Sequence, residues 1–97
     1  MKNYETVFIL NPALSEEQVQ KTVDKYEKSL KSNGAKIINK EVWGLKKLAY
    51  TIENKNSGFY NLLEYTAPAE IVSSLELEFS RDETVMRYLT VTLDKHA

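Results

Sequence analysis

Two adjacent lysines in an extended, apolar stretch constrain the fold more than any other feature of this chain. Lys46 and Lys47 lie between Leu45 and Leu48, in a segment from Ala35 to Ile52 that is rich in β-branched and aromatic residues. Successive side chains of a strand point to opposite faces, so the two lysines must occupy both faces. A strand covered on both faces could not accept them. The segment is therefore predicted to be an edge strand, or to project beyond its sheet.

Composition limits the class of protein. The 97 residues form one predicted domain, residues 1–97, and the chain has 13 Lys and Arg, 14 Asp and Glu, no Cys and a net charge of −1. An independent nucleic-acid binder normally carries a positive excess, because neutralising phosphates supplies most of its affinity. The absence of Cys excludes disulfides and thiolate metal sites and fits a cytoplasmic location. No apolar run approaches the roughly 20 residues of a membrane-spanning helix.

Charge is nevertheless unevenly placed along the chain. Four lysines and one acid lie between Lys36 and Lys47, whereas five acids and Arg81 lie between Glu70 and Glu83. One side of the folded domain should therefore be basic and another acidic.

Hydrophobic periodicity predicts six elements in the order βαββαβ. The predicted strands are Tyr4–Leu10, Ala35–Ile52, Phe59–Thr66 and Val85–Leu93, with turn residues at 53–58, one helix between a Ser15 cap and Asn33-Gly34, and a second helix starting at Pro68. Both helices have an apolar stripe, and a four-stranded antiparallel sheet offers one face to bury them. The expected fold is therefore α+β and ferredoxin-like, with two helices on one face of the sheet.

Two strands leave the assignment of faces open. In the second strand Ile37 and Trp43 have odd parity whereas Leu48 and Ile52 have even parity, so a bulge near Gly44 is expected to bring Leu48 and Ile52 into the core. In the last strand Leu89 and Val91 compete with Tyr88 and Thr90 for the buried side. The sheet face opposite the helices is expected to be apolar and open, which suggests a partner; it carries Glu5, Val7, Ile9, Tyr60, Leu62 and Glu64.

The sequence offers little for catalysis. His96 is the only histidine, and there is no Ser-His pair, metal-ligand spacing or Gly-rich phosphate loop. Small ferredoxin-like hydrolases of acyl phosphates hold the anion after the first strand, but here Asn11-Pro12-Ala13-Leu14 contains neither Arg nor Gly. The chain is expected not to be an enzyme and to use no cofactor, metal or small-molecule substrate.

RNA-recognition domains share the expected topology and stack bases on aromatic residues of the third strand. The matching segment agrees with their pattern mainly at Gly58 and Phe59, and Phe59 has the parity of Leu63 and Tyr65, which should face the helices. Base stacking on this strand is therefore disfavoured.

Several motifs together resemble bacterial small-subunit ribosomal protein six. They are Tyr4-Glu5, Asn11-Pro12, Trp43-Gly44-Leu45-Lys46-Lys47-Leu48-Ala49-Tyr50-x-Ile52, Gly58-Phe59-Tyr60 and Val85-Met86-Arg87-Tyr88-Leu89, and they span nearly the whole chain in order. The family prefers arginine at one or both positions of the basic pair, where this chain has two lysines. Lysine keeps the charge but loses the planar fork that grips phosphate.

The resemblance implies a structural constituent of the small ribosomal subunit, a cytoplasmic ribonucleoprotein of translation. Family members bind small-subunit ribosomal RNA jointly with a basic neighbour, ribosomal protein eighteen, which agrees with the net charge of −1. The alternative is a ferredoxin-like regulatory or ligand-binding module that self-associates through its sheet edges.

Two sets of candidate residues follow. The expected RNA-binding residues are Lys46, Lys47, Lys2, Tyr4, Lys55 and Arg87, and the expected partner-binding residues are Trp43, Leu45 and Tyr50. Because the paired lysines face opposite ways, only one of them is expected to touch RNA.

Overall fold

The computed structural model describes residues 2–52 and 54–93 and has the expected order of elements. The elements are β1 (Lys2–Leu10), α1 (Glu16–Ser32), β2 (Lys36–Ile52), β3 (Lys55–Ala67), α2 (Ala69–Arg81) and β4 (Val85–Thr92). The strands form one antiparallel sheet in the order β2-β3-β1-β4. The predicted ferredoxin-like fold is confirmed.

The start and end of α1 follow from its sequence. The Ser15 hydroxyl accepts from the Gln18 backbone N–H at 3.2 Å, and the Gln18 side chain accepts from the Ser15 backbone N–H at 2.9 Å. This capping box satisfies amide groups that the first turn leaves without partners. The helix ends before Gly34, whose φ of 91° is accessible because glycine has no Cβ.

Both helices bury their apolar stripes against one face of the sheet. Phe8, Tyr26 and Phe79 form an aromatic cluster with ring centroids 4.6–5.8 Å apart, and each is at most 1% exposed. Thr6 and Tyr65, also buried, share a hydrogen bond of 2.9 Å across β1 and β3. These contacts fix the helical layer on the sheet and leave the opposite sheet face without helices.

The connection between β2 and β3 is shorter than predicted. Residues Lys55–Gly58, expected in a turn, belong to β3, and Lys46 and Lys47 pair with Gly58 and Ser57. The prediction was wrong because main-chain pairing with a long partner strand overrides the turn preference of polar residues. Asn54, with a φ of 64°, lies at the turn, and Glu53 lies outside the described residues.

β4 presents one face to the core and the other to the open side of the sheet. Tyr88 packs against the core, whereas Leu89 and Val91 lie on the opposite face and are 63% and 41% exposed. β4 ends at Thr92, one residue before the predicted end. No helix in the described part of the chain is long and apolar enough to cross a membrane. His96 lies outside the described residues.

Candidate RNA and partner interface

β2 is both an edge strand and a projecting strand. Within the described residues it pairs only with β3, and β1 ends at Leu10, opposite Phe59. Because Leu45 also pairs with Phe59, the rest of the β2–β3 hairpin extends past the end of β1. Both expectations drawn from the adjacent lysines are confirmed.

The predicted bulge at Gly44 is present, and it orients the aromatic side chain beside it. The pairing register shifts between Val42 and Gly44, and Gly44 has a φ of 83°. Trp43 stacks on Tyr60 with the ring centroids 6.4 Å apart and the planes 17° apart. Since Tyr60 alternates with helix-facing Phe59, Trp43 lies on the open face of the sheet.

The paired lysines lie on opposite faces. Lys46 places its Nζ 5.2 Å from the centroid of the Trp43 ring and therefore lies on the open face. Lys47, the next residue and opposite Ser57, points to the other side. Both side chains are exposed.

Further register shifts in β2 correct the prediction for Leu48 and Ile52. The register also shifts between Ile37 and Asn39, and this insertion and the one at Gly44 cancel, so Lys46, and Leu48 two residues later, face away from the helices. A third shift, between Lys47 and Ile52, ends the regular alternation before Ile52. Leu48 is 7% exposed, but it lies outside the main core and lines a groove with Val7 and Ile9 of the open face. Ile52, half-buried, lines the same groove.

The hairpin also changes the expectation of a bare sheet face. It folds back over part of that face, where Ile9, which lines the groove beneath it, is only 8% exposed. Leu62 on the same face is also buried, at 6%. The groove between hairpin and sheet has a volume of about 380 Å³. Leu89 at its border remains 63% exposed. The open face is thus partly covered by the chain itself.

One contact joins the hairpin to the far edge of the sheet. The Arg87 Nη1 donates to the Tyr50 hydroxyl, and the guanidinium carbon lies 5.8 Å from the centroid of the Tyr50 ring. Tyr50 is 62% exposed. A candidate RNA-binding residue and a candidate partner-binding residue therefore contact each other.

Four of the six candidate RNA-binding residues gather at the hairpin end of the sheet, which we call the basic end. They are Lys46, Lys47, Lys55 and Arg87. Lys2 pairs with Ala67 at the opposite end of β1, roughly 27 Å away at about 3.4 Å per residue. Tyr4 is 7% exposed and packs on Tyr65 with ring centroids 5.9 Å apart, so little of its side chain is available to RNA.

The three candidate partner-binding residues do not share one face. Trp43 and Tyr50, 40% and 62% exposed, lie on the open face. Leu45 is 56% exposed but pairs with Phe59, which faces the helices. A partner that contacts all three would have to wrap around the β2 edge.

Part of the basic run is neutralised within the chain. The Lys40 Nζ lies 3.0 Å from a Glu27 carboxylate oxygen and 3.4 Å from one of Asp24. The hydrogen bond with Glu27 is the main cause that raises the pKa of Lys40. Lys21 on α1 is likewise paired with Glu17 at 3.4 Å. Among the described residues, the lysines of β2 without a salt bridge are thus Lys36 at the start of the strand and Lys46 and Lys47 in the hairpin.

The acidic side has a structural centre at Asp82. Its carboxylate accepts from the Tyr26 hydroxyl, from Lys25 at 3.1 Å and from the Thr84 backbone N–H at 2.9 Å. Partial burial opposes ionisation, but these hydrogen bonds outweigh it and hold the pKa of Asp82 well below its usual range. Burial, followed by the nearby carboxylate, raises the pKa of Tyr26. The cluster ties α1 to the start of β4.

Within residues 2–52 and 54–93, no group of His, Cys, Asp or Glu side chains is arranged to hold a metal ion. Sequence reasoning missed the stacking of Tyr60 under Trp43 and the contact of Tyr50 with Arg87. Alternation along β3 predicted Tyr60 on the open face, but no glycine or proline marks the bulge between Ile37 and Asn39, so the position of Trp43 over Tyr60 was not predicted.

The fold and this interface define a small α+β domain whose chemistry lies on an exposed basic hairpin and an adjoining apolar face. The family described as Ribosomal protein S6 matches residues 3–92. The chain is 64% identical over 97 residues to small ribosomal subunit protein bS6 of Christiangramia forsetii, covering 100% of this chain and 87% of that protein. It is 53% identical to the protein of the same name from Parabacteroides distasonis, covering 100% and 82%.

A solved structure supports the same relationship. The crystal structure of 30S ribosomal protein S6 from Thermotoga maritima matches with a TM-score of 0.90 and 26% identity, covering 94% of this chain and 86% of that one. The chain belongs to the ribosomal protein S6 family. The family is structural rather than enzymatic, and its members are ribosomal proteins of the bacterial cytoplasm. The resemblance drawn from the motifs is confirmed.

Proposed function

We propose that this chain is a structural constituent of the small ribosomal subunit that binds small-subunit ribosomal RNA jointly with a basic partner, ribosomal protein eighteen. The observation that carries the proposal is the basic end of the sheet, where Lys46 lies beside Trp43 and Arg87 beside Tyr50, with both aromatic side chains exposed. Lys47 adds a positive charge on the other face of the same strand. Cationic side chains bind phosphate groups, and exposed aromatic side chains are enriched where proteins bind one another.

Charge supports joint binding over independent binding. The whole chain has a net charge of −1, and each phosphate contact contributes a salt-dependent term of about 0.9 in log–log slope for a duplex. A few lysines at the basic end give a modest affinity. A basic partner seated on the apolar face would add positive charge next to them. Contacts of this kind position the domain without reading bases.

The test is sedimentation of tagged chain with small subunits from a bacterial lysate. The native chain and a control with Lys21→Ala and Lys28→Ala on α1 should sediment with the subunits. A variant with Lys46→Ala and Lys47→Ala should be depleted from that fraction while remaining folded by circular dichroism. If the native chain stays at the top of the gradient as a stable homodimer, the proposal is wrong and self-association through the sheet edges is favoured.

A further inference from the structure

The contact between Tyr50 and Arg87 spans the full width of the sheet. Tyr50 belongs to β2 and Arg87 to β4, and these are the two edge strands in the order β2-β3-β1-β4. Three strand spacings of about 4.8 Å separate the edges, roughly 14 Å in all. The two side chains can meet only because the hairpin folds back across the open face. The contact therefore reports the position of the hairpin.

A groove separates part of the folded-back hairpin from the sheet. Leu48 and Ile9 at its base are buried, yet about 380 Å³ of the groove stays open between hairpin and sheet. The hairpin is therefore not packed on the open face along its whole length, and Tyr50–Arg87 is a polar contact that joins it to β4.

The same contact occupies groups that the proposed interface needs. A guanidinium has five donors in a planar fork and binds phosphate through two of them. Here one Nη of Arg87 donates to the Tyr50 hydroxyl, and the guanidinium carbon lies 5.8 Å from the centroid of the Tyr50 ring. A phosphate held end-on by both Nη atoms needs the Nη that now bonds Tyr50, and as a charged acceptor it is the stronger partner, so this mode of binding displaces the Tyr50 hydroxyl.

We infer that Tyr50 and Arg87 form a latch in the free chain, so that a protein partner that engages Tyr50 releases Arg87 for RNA phosphate. The latch rests on the proposed function for its two ligands. The latch links partner binding and RNA binding energetically. RNA binding to the free chain includes the free-energy cost of opening the hairpin, whereas in the chain–partner complex the hairpin is already open. Opening also uncovers the apolar surface formed by Val7, Ile9 and Leu48.

The test measures RNA affinity of the chain with and without the partner, using a transcript of small-subunit ribosomal RNA at low salt. Tyr50→Phe removes the hydroxyl but keeps the ring. It should raise the affinity of the free chain about two- to ten-fold, the range expected for loss of one net hydrogen bond. The gain should be smaller in the chain–partner complex, where the partner already engages Tyr50.

Two further variants complete the design. Tyr60→Phe removes a hydroxyl from the same face at a ring that stacks on Trp43, and it should change neither affinity. Arg87→Ala should weaken RNA binding by the chain–partner complex and abolish the gain from Tyr50→Phe. An unchanged affinity of the free Tyr50→Phe chain, or an equal gain with and without the partner, would overturn the latch.

A readout without RNA separates this inference from the proposed function. The side-chain N–H signal of Arg87 in an NMR spectrum should shift in Tyr50→Phe and shift in the same direction when the partner is added to the native chain. If the native complex fails to bind the transcript, the proposed function fails, and this signal still decides whether the latch exists. An Arg87 signal that is unmoved by both changes contradicts the latch.

Discussion

Lys46 and Lys47 are chemically identical neighbours in different surroundings. Lys46 lies over the Trp43 ring on the open face, whereas Lys47 points to the opposite side of the β2 edge. A single RNA surface can engage both only if it wraps around that edge. Because the two side chains are the same, comparing a variant at each position shows which face of the hairpin contacts RNA.

Replacing each lysine separately by Ala should affect RNA binding unequally. Replacing the lysine that contacts phosphate should weaken binding to RNA and partner and lower the log–log salt slope by roughly one. Replacing the other lysine should leave the slope unchanged. The measurement is complex formation over a salt series for each single variant, with Lys21→Ala as the control. If neither variant changes the affinity or the slope, the lysines only protect the edge and RNA is held elsewhere.

Asp82 should make the stability of the fold depend on pH. Its folded-state pKa lies below the ordinary value of 3.8, so its stabilising effect is present above about pH 4 and is lost as the pH falls toward the folded-state pKa. Asp82→Asn should lower the free energy of unfolding at pH 7 by about 1 kcal/mol, because charged acceptors bind more strongly than neutral ones.

Urea unfolding at several pH values checks this expectation. The difference between the native chain and Asp82→Asn should shrink as the pH is lowered from 7 to 3, whereas Glu83→Gln, which removes the neighbouring exposed acid, should have little effect at either pH. A constant difference across this range would mean that the Asp82 charge does not stabilise the fold.

At the residue scale, sequence reasoning predicted environments only where local pattern decides them. The aromatic core position of Phe59 followed from alternation and is confirmed. Tyr4 was expected to reach RNA but is buried on Tyr65, and Lys40, which was counted in the basic run from Lys36 to Lys47, pairs with Glu27 of α1. Both outcomes depend on neighbours distant in sequence, which residue patterns do not reveal.

At the element scale, β2 decides how the interface is built. Its Gly44 bulge was predicted from broken alternation, but the bulge between Ile37 and Asn39 was not. That bulge contains no glycine or proline to mark it. One missed insertion was enough to place Leu48 on the wrong face, because each inserted residue reverses the alternation.

Gly44→Ala should separate the structural role of the bulge from ordinary backbone strain. Gly34 and Gly44 both have positive φ, 91° and 83°, and an added Cβ would meet no atom within 4 Å at either site. Each Ala substitution should therefore lower the free energy of unfolding by about 1–2 kcal/mol through backbone strain. Only Gly44→Ala should change the Trp43 emission and its quenching by iodide.

The readouts are urea unfolding and fluorescence of the two variants side by side. Identical Trp43 quenching in both would show that the Gly44 conformation does not control the orientation of Trp43 on the open face.

At the scale of the whole molecule, the order of elements was predictable because helix stripes, caps and the βαββαβ order each point to the same fold. The folded-back hairpin was not predictable. It depends on contacts between Tyr50 and Arg87, 37 residues apart in sequence, and no local propensity encodes them. The partly covered open face follows from this hairpin, and with it the coupling we infer between the two binding events.

The most direct test of joint RNA binding is a three-way titration with small-subunit ribosomal RNA, at fixed ionic strength, of the chain alone, the basic partner alone and the two together. A chain of net charge −1 should bind weakly alone, and the mixture should bind more tightly than either protein, with a one-to-one-to-one stoichiometry. Joint binding is contradicted if the chain alone binds the RNA as tightly as the mixture does, or if the mixture binds no better than the partner alone.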